Sequence, residues 1–299
     1  MNKLLIFVLM ISEGIASADW KDSLDSLFKR KESGVGIAWL KISPSARGIG
    51  LGNAYISAVD DPTAGWWNPG ALARIEGTHF NFTHTQDFMS RQEFLGACIK
   101  RGVNAYGLTV SGLFINGMEY RNEQQDSIGE FSAFSFLMGF SYARILAPGV
   151  YFGGTLKVFS ERILTYESFS WLTDFGVVYT ALHNLQFGGT IVNLGRYPKF
   201  ENQEVKPPRG WKIGASYKKY GCLLSIDANK YIDAVMQTGI GLEYSIASLL
   251  AVRAGYTFGI ETYSFSAGLG VKWKGMKIDY AFRPYNLGLG SAHIFTLVR

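Results

Sequence analysis

From about residue 79 to the C-terminus the chain repeats one pattern: segments of roughly 9 to 14 residues in which apolar side chains alternate with small or polar ones, each segment ended by a turn signal. Successive side chains of a strand point to opposite faces, so strict alternation forces each segment to present one oily and one polar face. In Ile240–Ile246, the residues Ile240, Leu242, Tyr244 and Ile246 share one face, and Gly241, Glu243 and Ser245 the other. Leu250, Val252, Ala254, Tyr256 and Phe258 likewise oppose Ala251, Arg253, Gly255 and Thr257. Further on, Tyr263, Phe265, Ala267, Leu269, Val271 and Trp273 oppose Ser264, Ser266, Gly268, Gly270 and Lys272; Ile278, Tyr280 and Phe282 oppose Lys277, Asp279 and Arg283.

The oily face carries aromatics toward the segment ends, and the other face is mostly Gly, Ser, Ala and Thr with isolated charges. That is the pattern of a membrane barrel, with aromatic girdles against lipid outside and a polar or closely packed interior. A soluble sandwich would carry long polar side chains on its wet face. The expected fold is all-β: a transmembrane antiparallel β-barrel of about 14 strands, at 79–87, 91–101, 104–115, 130–146, 149–162, 168–181, 184–194, 209–218, 221–230, 237–247, 249–259, 262–273, 275–284 and 291–299.

The links between segments segregate by parity. Gly102-Val103, Ala147-Pro148, Leu182-His183, Lys219-Tyr220, Ser248 and Lys274 are tight and are expected at the periplasmic rim; the long links, Asn116 to Gly129, Arg196 to Pro208 and Pro284 to Gly290, fall on the other rim.

Composition agrees. Aromatic residues make up 15% of the chain and charged residues only 18%, with 35 glycines, a mixture suited to a surface that meets lipid. Lys3 followed by the apolar run Leu4–Ile11 and then Ala16-Ser17-Ala18 reads as a secretory signal peptide over 1–18, too short to span a bilayer as a helix. A charged periplasmic lead follows over 19–36, then an N-terminal plug segment over 37–78 and the barrel over 79–299. The formal net charge of +5 is scattered rather than clustered, so a nucleic-acid partner is not expected; outer-membrane lipid is. Cys98 and Cys222 each lie inside an apolar strand pattern and read as two small side chains rather than a disulfide.

Between residues 37 and 73 the chain carries Trp39-Leu40-Lys41-Ile42, Ala46-Arg47-Gly48, Gly50, Gly52, Ala54-Tyr55, Asp60-Asp61 and Trp66-Trp67-Asn68-Pro69-Gly70-Ala71-Leu72. The run resembles the opening signature of the PorV/PorQ family, relatives of the FadL-type transporters, with Gly70-Ala71 standing where that family usually has Ala-Gly. Gly48, Gly50 and Gly52 permit positive φ and close backbone approach; no βαβ unit surrounds them, so no dinucleotide site and no cofactor is expected. Asp60 to Ala64 reads as a helix start and Asn68-Pro69 as a turn. The resemblance implies a compact segment folded into the periplasmic mouth, with Arg47, Gly48, Gly50, Gly52, Asp60, Asp61, Trp67, Asn68 and Pro69 as its motif.

Alternation turns Lys212, Asp227, Glu243, Arg253, Lys272, Lys277, Asp279 and Arg283 inward, where poorly hydrated charges need partners. Glu243 with Arg253, and Asp279 with Lys272 or Arg283, are the expected pairs, joined by Arg47, Asp60 and Asp61 from the plug. His79, His84, His183 and His293 form no nucleophile–base arrangement and no helical metal spacing, so neither catalysis nor a metal site is expected. The resemblance implies two activities. The first is engagement of the protein partners of a type IX-like secretion machinery; the second is passage of a hydrophobic ligand through the barrel wall, with Trp39, Trp66 and Trp67 as candidate contacts.

Overall fold

A computed structural model describes residues 36–88, 90–200 and 203–299. The expected signal peptide, and all of the expected lead except Gly36, lie outside the described residues. Fourteen strands close into an antiparallel barrel in which each is hydrogen-bonded to its sequence neighbours. They are β1 (Thr78–Gln86), β2 (Ser90–Arg101), β3 (Asn104–Arg121), β4 (Ser127–Ala147), β5 (Val150–Ile163), β6 (Tyr166–Leu182) and β7 (Leu185–Gly195) in the first half. The second half comprises β10 (Gly210–Lys219), β11 (Cys222–Tyr231), β12 (Gln237–Ile246), β13 (Leu250–Phe258), β14 (Phe265–Trp273), β15 (Met276–Pro284) and β16 (Ser291–Val298). A small hairpin, β8 (Lys199–Phe200) with β9 (Gln203–Glu204), sits in the link between β7 and β10. The seam pairs β1 with β16 from Asn81↔Val298 to Gln86↔His293 and is extended by reciprocal backbone bonds between Phe80 and Arg299 of 2.8 and 2.9 Å. No edge is left unpaired, which is the condition for strands to stand in lipid.

The expected short turns are short, and their chemistry is specific. Tyr220-Gly221 (φ 51° and 82°) and Lys274-Gly275 (φ 47° and 82°) each place two residues at positive φ, the geometry that matches strand twist in a two-residue hairpin. At the other rim two expectations are corrected. Asn116 to Gly129 is not a loop: β3 and β4 stay paired to Arg121 and Ser127, bent by a bulge between Ile115 and Met118, because the alternation continues through Met118 and Tyr120 against Phe131. Tyr263 was expected on the lipid face of a strand starting at 262, but β14 begins at Phe265, and the Tyr263 ring turns to the Arg283 guanidinium, 4.2 Å from its centroid.

Residues 36–77 fill the lumen. A 3-10 turn (Ala38–Lys41) comes first; then come α1 (Ala46–Gly50), α2 (Ala64–Trp67) and a second 3-10 turn (Pro69–Arg74). Local chemistry sets each start. Ser45 caps α1 by accepting from the Gly48 amide at 3.2 Å, and the Asp61 carboxylate, not Thr63, gathers the chain before α2 by accepting from the Thr63 amide at 2.8 Å. Asn68 accepts from the Gly70 amide at 3.2 Å, with Pro69 opening the next turn.

The plug is not confined to the short-turn mouth. Gly36 packs against Val205 of the β7–β10 link, and Lys41 pairs at 2.7 Å with Asp233 of the β11–β12 loop, both at the long-loop rim. Glu76 meets Lys100 at the opposite rim, where β1 begins. The segment therefore threads the lumen from one end to the other, and its first described residues stand at the rim opposite the one expected.

Candidate functional site

Three sets of lumen side chains meet the plug. The first is a charged network. Arg47, at the start of α1, donates Nε to Glu243 Oε2 at 2.7 Å and Nη2 to Oε1 at 2.9 Å, and Nη1 to Asp60 Oδ1 at 2.6 Å. From β13, Arg253 donates to the same Glu243 Oε2 at 2.6 Å and to Asp279 Oδ1 at 2.6 Å. Glu243, Arg253 and Asp279 thus run across β12, β13 and β15, and Arg47 and the third carboxylate, Asp60, come from the plug; all but Asp60 are buried. Burial alone would raise the Asp60 carboxyl, but Arg47 and Lys277 hold it below the usual carboxylate range. Asp61 stands outside the network: it accepts the Tyr55 hydroxyl at 2.9 Å, and burial with Asp60 beside it pushes its carboxyl up.

The expected partners for the other inward charges are corrected. Arg253 holds Asp279 in place of Lys272 or Arg283, since the guanidinium reaches both acids from the intervening strand. Arg283 donates to the Tyr285 hydroxyl at 2.8 Å near the long-loop rim, whereas Lys272 and Lys277 are exposed at the short-turn mouth. Lys212 lies over the rings of Trp67 and Tyr231, at 5.5 and 5.7 Å, rather than against an acid. Asp227 Oδ2 accepts two plug amides, Tyr55 at 2.6 Å and Ile56 at 2.8 Å, so a wall carboxylate stands where the plug backbone has no partner of its own.

The second set is backbone contact. Gly52, at φ 63°, lies against the wall so closely that a Cβ on Gly255 would fall 2.0 Å from its amide nitrogen. Asn68 donates to the carbonyls of Ile56 (3.1 Å) and Val177 (3.0 Å), stitching the plug to β6. Of the expected plug motif, Arg47, Gly50, Gly52, Asn68 and Pro69 meet the wall directly, and Trp67 packs edge-on to Tyr55 with Lys212 of the wall over its ring.

The third set is apolar, and alternation did not reveal it. Phe94, Leu113, Leu137, Phe159 and Leu172 point inward from β2 to β6 at one level of the lumen, with Leu137 directly opposite Phe159 in the ladder. Ile37, Trp39, Leu40 and Trp66 of the plug complete the cluster, Trp66 edge-on to Phe94 with centroids 6.0 Å apart. Trp39 and Trp66 therefore lie together here and Trp67 does not. The Trp39 indole N–H is buried without a hydrogen-bond partner among the described residues. Elsewhere the wall presents Asn81, Thr83, Thr85, Thr109, Ser225 and similar residues to the lumen. Beside this cluster the β6–β7 ladder slips between Thr173 and Phe175, with Asn193 at φ 61°. There Lys157 bonds the Asn193 amide oxygen and pairs with Asp174 at 2.7 Å. Inward pointing of Lys157 and Asp174 follows from the same alternation that turns Glu243 and Arg253 inward, although neither is among the inward charges expected above.

The four histidines are dispersed, and no cluster of three metal-binding side chains occurs among the described residues. Cys98 and Cys222 are unpaired.

The chain matches no protein-family model, and no curated protein is similar to it by sequence. Solved structures are similar in fold. The toluene transporter TbuX of Ralstonia pickettii aligns with a TM-score of 0.60 at 15% identity, over 86% of this chain and 96% of that one. The toluene transporter TodX of Pseudomonas putida aligns with a TM-score of 0.62 at 11% identity, over 85% and 96%. A FadL homologue of Pseudomonas aeruginosa aligns with a TM-score of 0.58 at 11% identity, over 86% and 98%. The fold is that of these barrels, closed by 14 strands around an N-terminal plug; the likeness to PorV/PorQ proteins rests on residues 37–73 alone.

Proposed function

We propose that this protein sits in an outer membrane and passes hydrophobic compounds through its lumen and wall, the second of the two activities that the sequence resemblance implies. One observation carries the reading: a belt of inward Phe and Leu side chains runs across β2–β6, closed by Trp39, Leu40 and Trp66, in a lumen whose other inward apolar wall residues, such as Val178, Leu223 and Ile294, stand singly among small and polar ones. Filling alone is met elsewhere with single aliphatics among small and polar residues, whereas an apolar ligand needs a continuous surface such as this belt. The slipped ladder at Asn193 beside Leu172 fits sideways release into lipid. The shared fold with two toluene transporters agrees with it. Engagement of secretion partners rests only on the motif over 37–73, and no observation of the lumen favours it.

The test is uptake of labelled toluene by cells of a host lacking its own hydrophobe channels. Expression of this chain is expected to speed uptake, and Leu137→Asp or Phe159→Asp to abolish the gain while the barrel still folds and inserts. Uptake equal to that of cells without the protein would overturn the reading, and co-purified secretion subunits would then favour the other.

A further inference from the structure

The two rims of the barrel carry charge differently. At the long-loop rim exposed cations stand beside acids: Arg121 with Glu119, Arg162 with Glu167 at 3.5 Å, Lys199 with Glu204 at 3.1 Å and Arg91 with Glu93 at 3.5 Å. At the short-turn rim the exposed outer residues Arg101, Arg144, Lys219, Lys274 and Arg299 have no acidic side chain within ion-pair distance among the described residues, and the exposed Glu76 is held by Lys100. Two of these cations share one level of the sheet. Arg101 of β2 and Arg144 of β4 are both register partners of Asn104 of β3, and alternation turns all three away from the lumen, on the face of Tyr106 and Tyr142. Neighbouring strands lie about 4.8 Å apart, so the two arginines flank Asn104 with their backbones roughly 10 Å apart, a gap that two guanidiniums can close upon one phosphate. The Asn104 amide oxygen accepts the Tyr142 hydroxyl at 2.9 Å, which leaves only its N–H donors free among the described residues. The Tyr106 and Tyr142 rings, 5.6 Å apart, make the side of the site that faces the bilayer. Positive charge and donors thus stand directly over rings of an interfacial girdle.

We propose that Arg101, Asn104 and Arg144 bind the phosphate of an anionic phospholipid in the leaflet at the short-turn rim, with its acyl chains along Tyr106, Tyr142 and the exposed Leu108 and Phe140. Lys219 over the Tyr220 ring, Lys274 over the Trp273 ring, and Arg299 continue the positive collar around the barrel. A lipid fits this place better than a soluble partner because the donors lie on the lipid-facing side of the strands rather than on a projecting loop, and an anionic leaflet draws cations held at its surface. The proposal rests on the reading that the barrel spans a membrane, and not on passage of hydrophobes.

The test is native mass spectrometry of the full-length protein in detergent, titrated with phosphatidylglycerol and with phosphatidylcholine of the same acyl chains. Phosphatidylglycerol is expected to bind at least about fivefold tighter, with a preference that falls as ammonium acetate is raised. Arg101→Gln/Arg144→Gln is expected to remove most of that preference, while Arg121→Gln/Arg162→Gln at the other rim leaves it unchanged. The single Arg144→Gln, at an exposed position, is expected to weaken the preference in the same direction if the double variant folds poorly. Equal binding of the two lipids, or a preference that survives in the double variant, would overturn the proposal. So would a soluble poly-glutamate peptide that binds this rim more tightly than the lipid. Failure of the wild-type chain to insert into phosphatidylcholine vesicles would overturn the membrane reading itself and this proposal with it, which tells the two failures apart.

Discussion

Arg47 and Glu243, 196 positions apart in the chain, form a two-pronged ion pair of 2.7 and 2.9 Å that ties the plug to the barrel wall. Both side chains are almost wholly buried, at 10% and 4% exposure, so neither can turn to water if the other is removed. Arg47→Ala strands Glu243 with Arg253 alone and frees Asp60, and loss of one partner from a buried pair costs about 3–5 kcal/mol. We expect purified Arg47→Ala protein to melt lower than wild type and to show larger, more frequent openings in planar bilayers. The paired change Arg47→Met/Glu243→Met should cost less than the single one, because it leaves no lone charge of the pair behind. Wild-type conductance and melting in Arg47→Ala would mean that the plug is held elsewhere.

Trp39 separates packing from polarity. Its ring is buried in the apolar cluster, but the indole N–H meets no acceptor among the described residues. Removing an unsatisfied donor relieves a desolvation cost, so Trp39→Phe should be neutral or stabilising by about 1 kcal/mol. Trp39→Ala should cost about 3–5 kcal/mol through the hole it leaves. Thermal unfolding of the two variants decides this, and equal losses would show that the N–H has a partner.

The strands were legible because a closed barrel in lipid has to satisfy one rule at nearly every position. Ile240 to Ile246 could be assigned face by face from alternation alone, and β12 follows it. The charged network was half legible. Glu243 and Arg253 are directly opposite in the β12–β13 register, so their pairing followed from strand order, whereas Asp279 going to Arg253 depended on side-chain reach, which alternation does not encode. The apolar cluster was only partly legible, for a physical reason. Leu137 and Phe159 share the inward parity of Ser135, Gly139 and Lys157, but next to lipid-facing Phe136 and Val158 they break the polar pattern of that face, and nothing in one strand shows that such residues of five strands meet at one level. The plug's path was hidden as well, since short elements such as the turn Ala38–Lys41 are fixed by contacts with the wall rather than by periodicity.

Gly255 and Gly275 give a contrast between contact and conformation. A Cβ at Gly255 would meet the Gly52 amide at 2.0 Å and the Leu51 carbonyl carbon at 2.5 Å, both backbone atoms of the plug. At Gly275, φ is 82° and nothing lies within 4 Å, so an alanine meets only backbone strain, about 1–2 kcal/mol. Gly255→Ala, overpacked by about 1–3 kcal/mol, should push the plug from the wall and raise conductance; Gly275→Ala should lose comparable stability with conductance unchanged. Planar-bilayer recordings of the two separate the effects, and a closed Gly255→Ala channel would contradict the close seating of Gly52.

Asp60 and Asp61 are adjacent yet respond to pH in opposite senses. Arg47 and Lys277 outweigh burial to hold Asp60 below the ordinary value of 3.8, so its contribution is present above that pH and is lost only in stronger acid. Burial and the neighbouring Asp60 raise Asp61, against the pull of its bonds to Thr63 and Tyr55. A raised carboxyl contributes stability that is full below 3.8 and lost as pH climbs through the folded-state value. Between pH 4 and 7, then, Asp61 alone of the two weakens plug seating as pH rises. Asp61→Asn removes that titration, and the melting temperature of the variant minus that of wild type should grow from pH 4 to pH 7. A difference that stays flat across the interval would show that Asp61 keeps an ordinary carboxylate's behaviour in place.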